Sequence, residues 1–222
     1  MTQVDDLQSK FGDEPIGEIA ARLPGATAIF RKLKLNYCCG GAISLGAALK
    51  KRGLELAAVE RQLAALTPQE SEIPESSGEI IDHLISRYHD THRRELPELI
   101  QLARRVERVH AGNPEAPAGL ADFLIRMDTA LGTHMQQEEL ILFPMIRAGD
   151  PMVSVPISAM VVEHLDHGDS LEALATLTHD MEPPEDACGT WRALYAGVRK
   201  LSDDLTSHIH IENNILFPRF PD

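Results

Sequence analysis

The sequence predicts an all-α protein, a four-helix up-down-up-down bundle preceded by a small helical domain. Three observations carry the prediction. Apolar residues recur at helical spacing along most of the chain, among abundant Ala, Leu, Glu and Arg. There is no sustained alternation of β-branched residues and no Asn-Gly or Asp-Gly hairpin turn. A polar-apolar segment occurs twice in the second half of the chain, each copy at helical spacing.

Residues 16–66 read as short helices broken at Pro24-Gly25 and at Cys38-Cys39-Gly40-Gly41, closed by an amphipathic helix from Leu54 to Leu66. With the leading residues, 1–66 is the predicted small domain. TPQESEIPESSG, residues 67–78, is polar, aperiodic and carries two prolines, which marks a linker. The bundle then spans 79–222. Its first helix runs from about Glu79 to His110, with Ser76 or Ser77 as cap and a kink or break at Pro97. A turn at 111–119 leads to a second helix, about Leu120 to Ala148. A third follows from about Ile157 to His179, and a fourth from about Cys188 to Phe217. Long helices joined by short loops make antiparallel neighbours.

Composition excludes several classes. With 34 acidic and 21 basic residues the net charge is −13, which gives no electrostatic footing on nucleic acid or anionic lipid. No apolar run reaches membrane-span length, so no membrane association is expected. The polar start, MTQVDDLQSK, does not read as a secretory signal. Three cysteines, two of them adjacent, make no disulfide framework, and the expected compartment is the cytoplasm.

The ten histidines are patterned. HMQQEELILFPMI, from His134, matches HIHIENNILFPRF, from His208, at a shift of 74. His89-x-x-His92 matches His164-x-x-His167 at a shift of 75. The bundle therefore reads as two similar helical hairpins, and a pseudo-twofold axis would bring their polar sets together. His134 and Glu138 are i and i+4, as are His208 and Glu212, so each pair shares a helix face. Leu131, Ile141 and Leu142 in one copy, and Leu205, Ile215 and Leu216 in the other, mark that face as inward. Two facing buried carboxylates are costly unless they hold cations. One histidine per helix plus two glutamates makes a symmetric dinuclear site whose nitrogen and oxygen donors suit iron, without excluding zinc or manganese.

A single His-x-x-x-Glu is usually a solvated pair; two copies inside a repeat are not. Spacing does not choose between His89 and His92, or between His164 and His167. His83, His110 and His179 read as surface or helix-end residues, His210 as lying on the side of its helix opposite His208, and Tyr88 and Glu163 as structural or channel-lining. Phe143-Pro144 and Phe217-Pro218 read as packing at the bundle end. Cys38-Cys39 reads either as a redox or metal- and sulfur-handling pair or as two small residues in a tight turn. The glycines after it admit unusual backbone conformations, and a helix starting just beyond would favour thiolate. Cys188 reads as structural.

YHDTHRRELPELI, HMQQEELILFPMI, Glu163-His164 and HIHIENNILFP resemble the iron–sulfur cluster repair di-iron proteins of the hemerythrin-like superfamily. NYCCGG, residues 36–41, resembles the small domain those proteins carry ahead of the bundle. The resemblance spans about Pro15 to Pro218. It implies His89, His134, Glu138, His164, His208 and Glu212 as ligands of two iron ions in an oxo- or hydroxo-bridged non-haem centre. It also favours a function for Cys38 and Cys39. The implied activity is repair of iron–sulfur clusters damaged by nitrosative or oxidative stress, by supplying iron; reduction of nitric oxide at the centre is the alternative. The implied partners are damaged iron–sulfur proteins or their assembly machinery, nitric oxide or oxygen as small ligands, and a second copy in a homodimer. No residue is assigned a catalytic role. Reversible oxygen carriage fits less well, because oxygen-carrying relatives have one more histidine and no use for a Cys-Cys domain.

Overall fold

The computed structural model describes residues 11–23, 25–66 and 73–221. Pro24, residues 67–72 of the expected linker and the first ten residues lie outside the described residues. The described fold is all-α and contains no β-strand; the closest approach to one is an isolated antiparallel bridge between Pro15 and Ser44. The chain divides into two compact units. One joins the described residues up to 66 with Ile209–Arg219, and the other begins at Ile73 and runs to His208.

The first unit contains α1 (Ile16–Arg22), α2 (Ala26–Lys32), α3 (Leu45–Lys51) and α4 (Leu56–Ala64). Each is about two turns long, too short to persist alone, so burial of their apolar faces holds them together. Ile16, Ile19, Phe30, Tyr37, Leu45, Leu49, Val59 and Leu63 form that core. The backbone on either side of the cysteine loop is tied to the start of α1: Ile16 N–H donates to the Ile43 carbonyl and Gly17 N–H to the Gly41 carbonyl, both at 2.9 Å.

In the second unit, α5 (Ser77–His83) is capped by Ser76. Its Oγ accepts from Glu79 N–H at 3.2 Å and donates to Glu79 Oε2 at 2.6 Å. A π-helical turn, Leu84–His89, leads into α6 (Asp90–Val109). Leu96, Leu99, Ile100, Ala103 and Val106 form the buried stripe of α6. Of the kink or break expected at Pro97, the break does not occur: α6 runs through it. Pro97 lies on the exposed face, where the Arg93 carbonyl left without a helical donor can be hydrated. A change of helix type lies upstream, in the π turn that ends on His89.

The second bundle helix comprises α7 (Leu120–Gln137), a π turn (Glu138–Leu142) and α8 (Phe143–Ala148), which ends at Gly149 with φ 65°. Its first turn is closed by Glu107, which accepts from Ala121 N–H at 3.0 Å. The third is α9 (Ser154–Leu177) and the fourth is α10 (Gly189–Ile211). A π turn (Glu212–Leu216) and a short 3₁₀ turn (Phe217–Arg219) continue α10. α6 packs along α7, and α7 against α9. At Gly197 on α10, an added Cβ would fall 2.5 Å from Leu99 Cδ2, so glycine lets α6 and α10 approach closely. Both Phe-Pro pairs directly follow π turns, where the wider coil removes the need for a regular α ladder into proline.

Candidate metal centre

Four helices each deliver one histidine to the interior of the bundle. His89, His134, His164 and His208 are between 0 and 1 % exposed, and Glu138 and Glu212 are fully buried. Their potential ligand atoms form two groups, each within a span of 4.8 Å: His89, Glu138, His208 and Glu212, and His134, Glu138, His164 and Glu212. The groups share both carboxylates and differ only in their histidine pair. Three of these positions adjoin π turns: His89 ends the first, and Glu138 and Glu212 begin the other two. The structure thus brings together all six residues that the repeat and the resemblance single out.

The donor set fits a cation. Both Glu138 oxygens are buried with no hydrogen-bond donor. They face imidazole nitrogens, Oε2 to His89 Nε2 at 3.4 Å and Oε1 to His134 Nε2 at 3.3 Å. The Nε2 atoms converge in pairs, His89 with His208 and His134 with His164, each at 3.1 Å. A carboxylate without donors among crowded imidazoles is costly in a closed core, and a positive ion removes that cost. Burial, followed by the neighbouring His89, pushes His208 well below the usual imidazole range, which keeps it a neutral donor.

Outside these six, Glu139 Oε1 lies 2.7 Å from His89 Nδ1, and Glu163 Oε2 lies 2.8 Å from His134 Nδ1. Each carboxylate fixes Nδ1 as the protonated nitrogen and leaves Nε2 facing inward. Glu139 carries no mark in the sequence and Glu163 reads as structural or channel-lining; the legible signal was an acidic residue next to a proposed ligand in each case. His92 and His167, left open by spacing, are also buried. The His92 ring stacks 5.6 Å from His208, as does Tyr88, and His167 meets His134 edge-on at 4.9 Å.

One single-residue expectation needs correction. Ile141 is 53 % exposed while Leu142 is buried, because the π turn rotates the inward face by one residue. His210, two residues from His208, is buried as well: its ring meets Tyr37 edge-on at 5.1 Å, and Asn214 Nδ2 lies 3.1 Å from its Nδ1. Burial pulls His210 down to about 4. Cys188 sits before α10, where the Trp191 N–H and then His110, 3.2 Å from its sulfur, pull the thiol down.

Cys38 and Cys39 are not joined in a disulfide, and their sulfurs lie 3.5 Å apart. No helix begins just beyond them; α3 starts at Leu45. The turn is organised by Asn36 instead, whose Oδ1 accepts from Cys39 N–H at 3.1 Å and Gly40 N–H at 3.2 Å. Gly40 and Gly41 do not adopt positive φ. They are needed for close approach: a Cβ on Gly41 would lie 2.7 Å from the Tyr37 carbonyl and 2.9 Å from Gly17 Cα. Asn213 Nδ2 donates to the Cys38 carbonyl at 3.0 Å, and Asn214 Nδ2 approaches it at 3.4 Å. The repeat counterparts of these asparagines are Glu139 and Leu140.

A helical bundle whose four strands of helix each supply a buried histidine, around two shared glutamates, defines a hemerythrin-type cation-binding protein. The Hemerythrin HHE cation binding domain matches residues 80–220, and ScdA_N, a domain of unknown function, matches residues 12–67. Iron-sulfur cluster repair protein YtfE of Citrobacter koseri is 47% identical over 213 residues, 94% of this chain and 97% of that protein. YtfE of Dickeya chrysanthemi is 48% identical over 214 residues, and that of Shigella boydii is 46% identical over 213, with the same coverage. The chain belongs to this family of iron–sulfur cluster repair proteins. Its hemerythrin domain and buried His/Glu group suit iron. No helix among the described residues is long and apolar enough to cross a membrane.

Proposed function

We propose that this protein repairs iron–sulfur clusters damaged by nitrosative or oxidative stress, supplying iron held in the bundle. The observation that carries the reading is the pair of four-residue groups sharing Glu138 and Glu212. On this reading His89 and His208 would hold one iron and His134 and His164 the other, with Glu138 and Glu212 available to both. When bound, the pair of irons supplies exchangeable metal and a site for small ligands such as nitric oxide or oxygen. Six donors without a thiolate hold iron less tenaciously than a cysteine-rich site would. Glu139 and Glu163 fix the tautomers of His89 and His134, and the buried bundle walls keep bulk water from the ligands. Cys38 and Cys39, two thiols at 3.5 Å on one loop, are proposed to handle metal, sulfur or electrons during transfer.

On the same reading, residues 1–66 act as the cysteine domain, 67–78 as linker and 79–222 as the iron-holding bundle. The partners are damaged iron–sulfur proteins or their assembly machinery, met in the cytoplasm by a homodimer. The test is direct: incubate the iron-loaded protein with a nitric oxide-damaged iron–sulfur enzyme. Activity should return with matching loss of iron from the bundle. No recovery, with nitrous oxide formed over many turnovers, would replace this reading with nitric oxide reduction at the same site.

A further inference from the structure

The two cation positions have different surroundings. His89 donates from Nδ1 to Glu139 Oε1 at 2.7 Å, and Arg93 Nη2 takes the same oxygen at 2.8 Å. Arg93 stands one turn beyond His89 on the same helix, so the competition is built into the helix. His134 donates to Glu163 Oε2 at 2.8 Å. Among the described residues no arginine or lysine pairs with Glu163. The internal repeat does not reproduce the Arg93 arrangement: the counterparts of Glu139 and Arg93 are Asn213 and Gly168.

A carboxylate on Nδ1 strengthens the opposite ring nitrogen as a metal donor. A guanidinium on the same carboxylate oxygen withdraws part of that electron density and adds a positive charge near one position. Resting on the repair reading, we propose that the iron held by His89 and His208 is the labile one, released first, and that Arg93 sets this order through Glu139. The iron held by His134 and His164, backed by the unshared Glu163, is the retained one. Arg93, Glu139 and Glu163 are then positioning residues, not ligands, and the cargo is one ferrous ion per chain per transfer.

The test loads the full chain with 57Fe(II) anaerobically, adds a colorimetric iron chelator and follows release by stopped flow. Two phases of equal amplitude are expected. Glu139→Gln should accelerate the fast phase about 10- to 100-fold, and Glu163→Gln the slow phase by a similar factor. Arg93→Gln should slow the fast phase alone toward the slow one, while Arg93→Lys, which keeps the charge, leaves the two phases apart. Mössbauer spectra should show two doublets, of which Arg93→Gln shifts one. A single release phase from protein holding two irons, or an Arg93→Gln effect on both phases alike, overturns the inference while leaving the repair reading standing. Fewer than two irons bound before chelation would remove the di-iron reading, and this inference with it. Should Arg93→Gln fail to fold, the opposite assignment of the two Gln variants' phases decides the matter.

Discussion

Replacing Glu138 with leucine should stabilise the metal-free protein and destabilise the metal-loaded one. Glu138 is fully buried, and neither oxygen has a hydrogen-bond donor. Its potential ligand atom lies within 4.8 Å of that of Glu212, so two carboxylates confront each other when no cation is present. Leucine is close to glutamate in volume and carries no polar atom. Replacing even a buried ion pair by apolar side chains of similar volume often gains about 1–4 kcal/mol, so about 2 kcal/mol is expected for Glu138. For a protein of this size that raises the melting temperature by about 4–8 °C. In the presence of ferrous iron the order reverses. Wild type gains about 4 kcal/mol when free metal exceeds Kd by about 1000-fold, and the variant gains nothing. Anaerobic thermal melts with and without ferrous iron read both effects. A metal-free variant less stable than wild type would show that protein contacts compensate Glu138, and a full metal-dependent rise in the variant would refute its role as a ligand.

Three further outcomes follow from the geometry. Asn213→Ala removes the 3.0 Å hydrogen bond to the Cys38 carbonyl, worth about 1 kcal/mol, so labelling of buried Cys38 by a thiol reagent should accelerate about fivefold; an unchanged rate would show that the bond does not hold the loop closed. Gly41→Ala places a methyl group 2.7 Å from the Tyr37 carbonyl and should cost about 1–3 kcal/mol in urea denaturation, whereas full stability would show that the loop shifts freely. At Asp204, burial raises the carboxyl pKa, but hydrogen bonds and charge from Arg87 and Lys200 outweigh it and hold the group below its usual value. A depressed folded pKa adds stability above the unfolded carboxylate value, lost as pH falls through the folded one. Asp204→Asn should therefore cost about 1–2 kcal/mol at pH 7, with the deficit closing in acid below the carboxylate range; a deficit independent of pH would exclude an ionic origin.

The parts legible in the sequence share a cause. His134 with Glu138, and His208 with Glu212, are local i,i+4 pairs inside a repeat, so helix geometry and duplication together were enough to put them on one face. Ser76 was readable as a cap because its partner Glu79 is three residues away. What escaped depends on contacts distant in the chain or on irregular helix. Nothing local to His210 announces Tyr37, 173 positions earlier. The exposure of Ile141 follows from a π turn, and helical periodicity at 3.6 residues cannot represent one. Glu139 sits beside a ligand, yet its partner His89 lies on another helix, 50 residues away. Gly40 and Gly41 were readable as special, but for the wrong property: they serve close approach and not left-handed backbone.

The most direct test is the iron content of the purified full-length protein, with its absorption spectrum recorded before and after nitric oxide. The account predicts two irons per chain and a near-ultraviolet absorption that changes when nitric oxide is added. One metal ion per chain, or zinc with no spectral response, would contradict it.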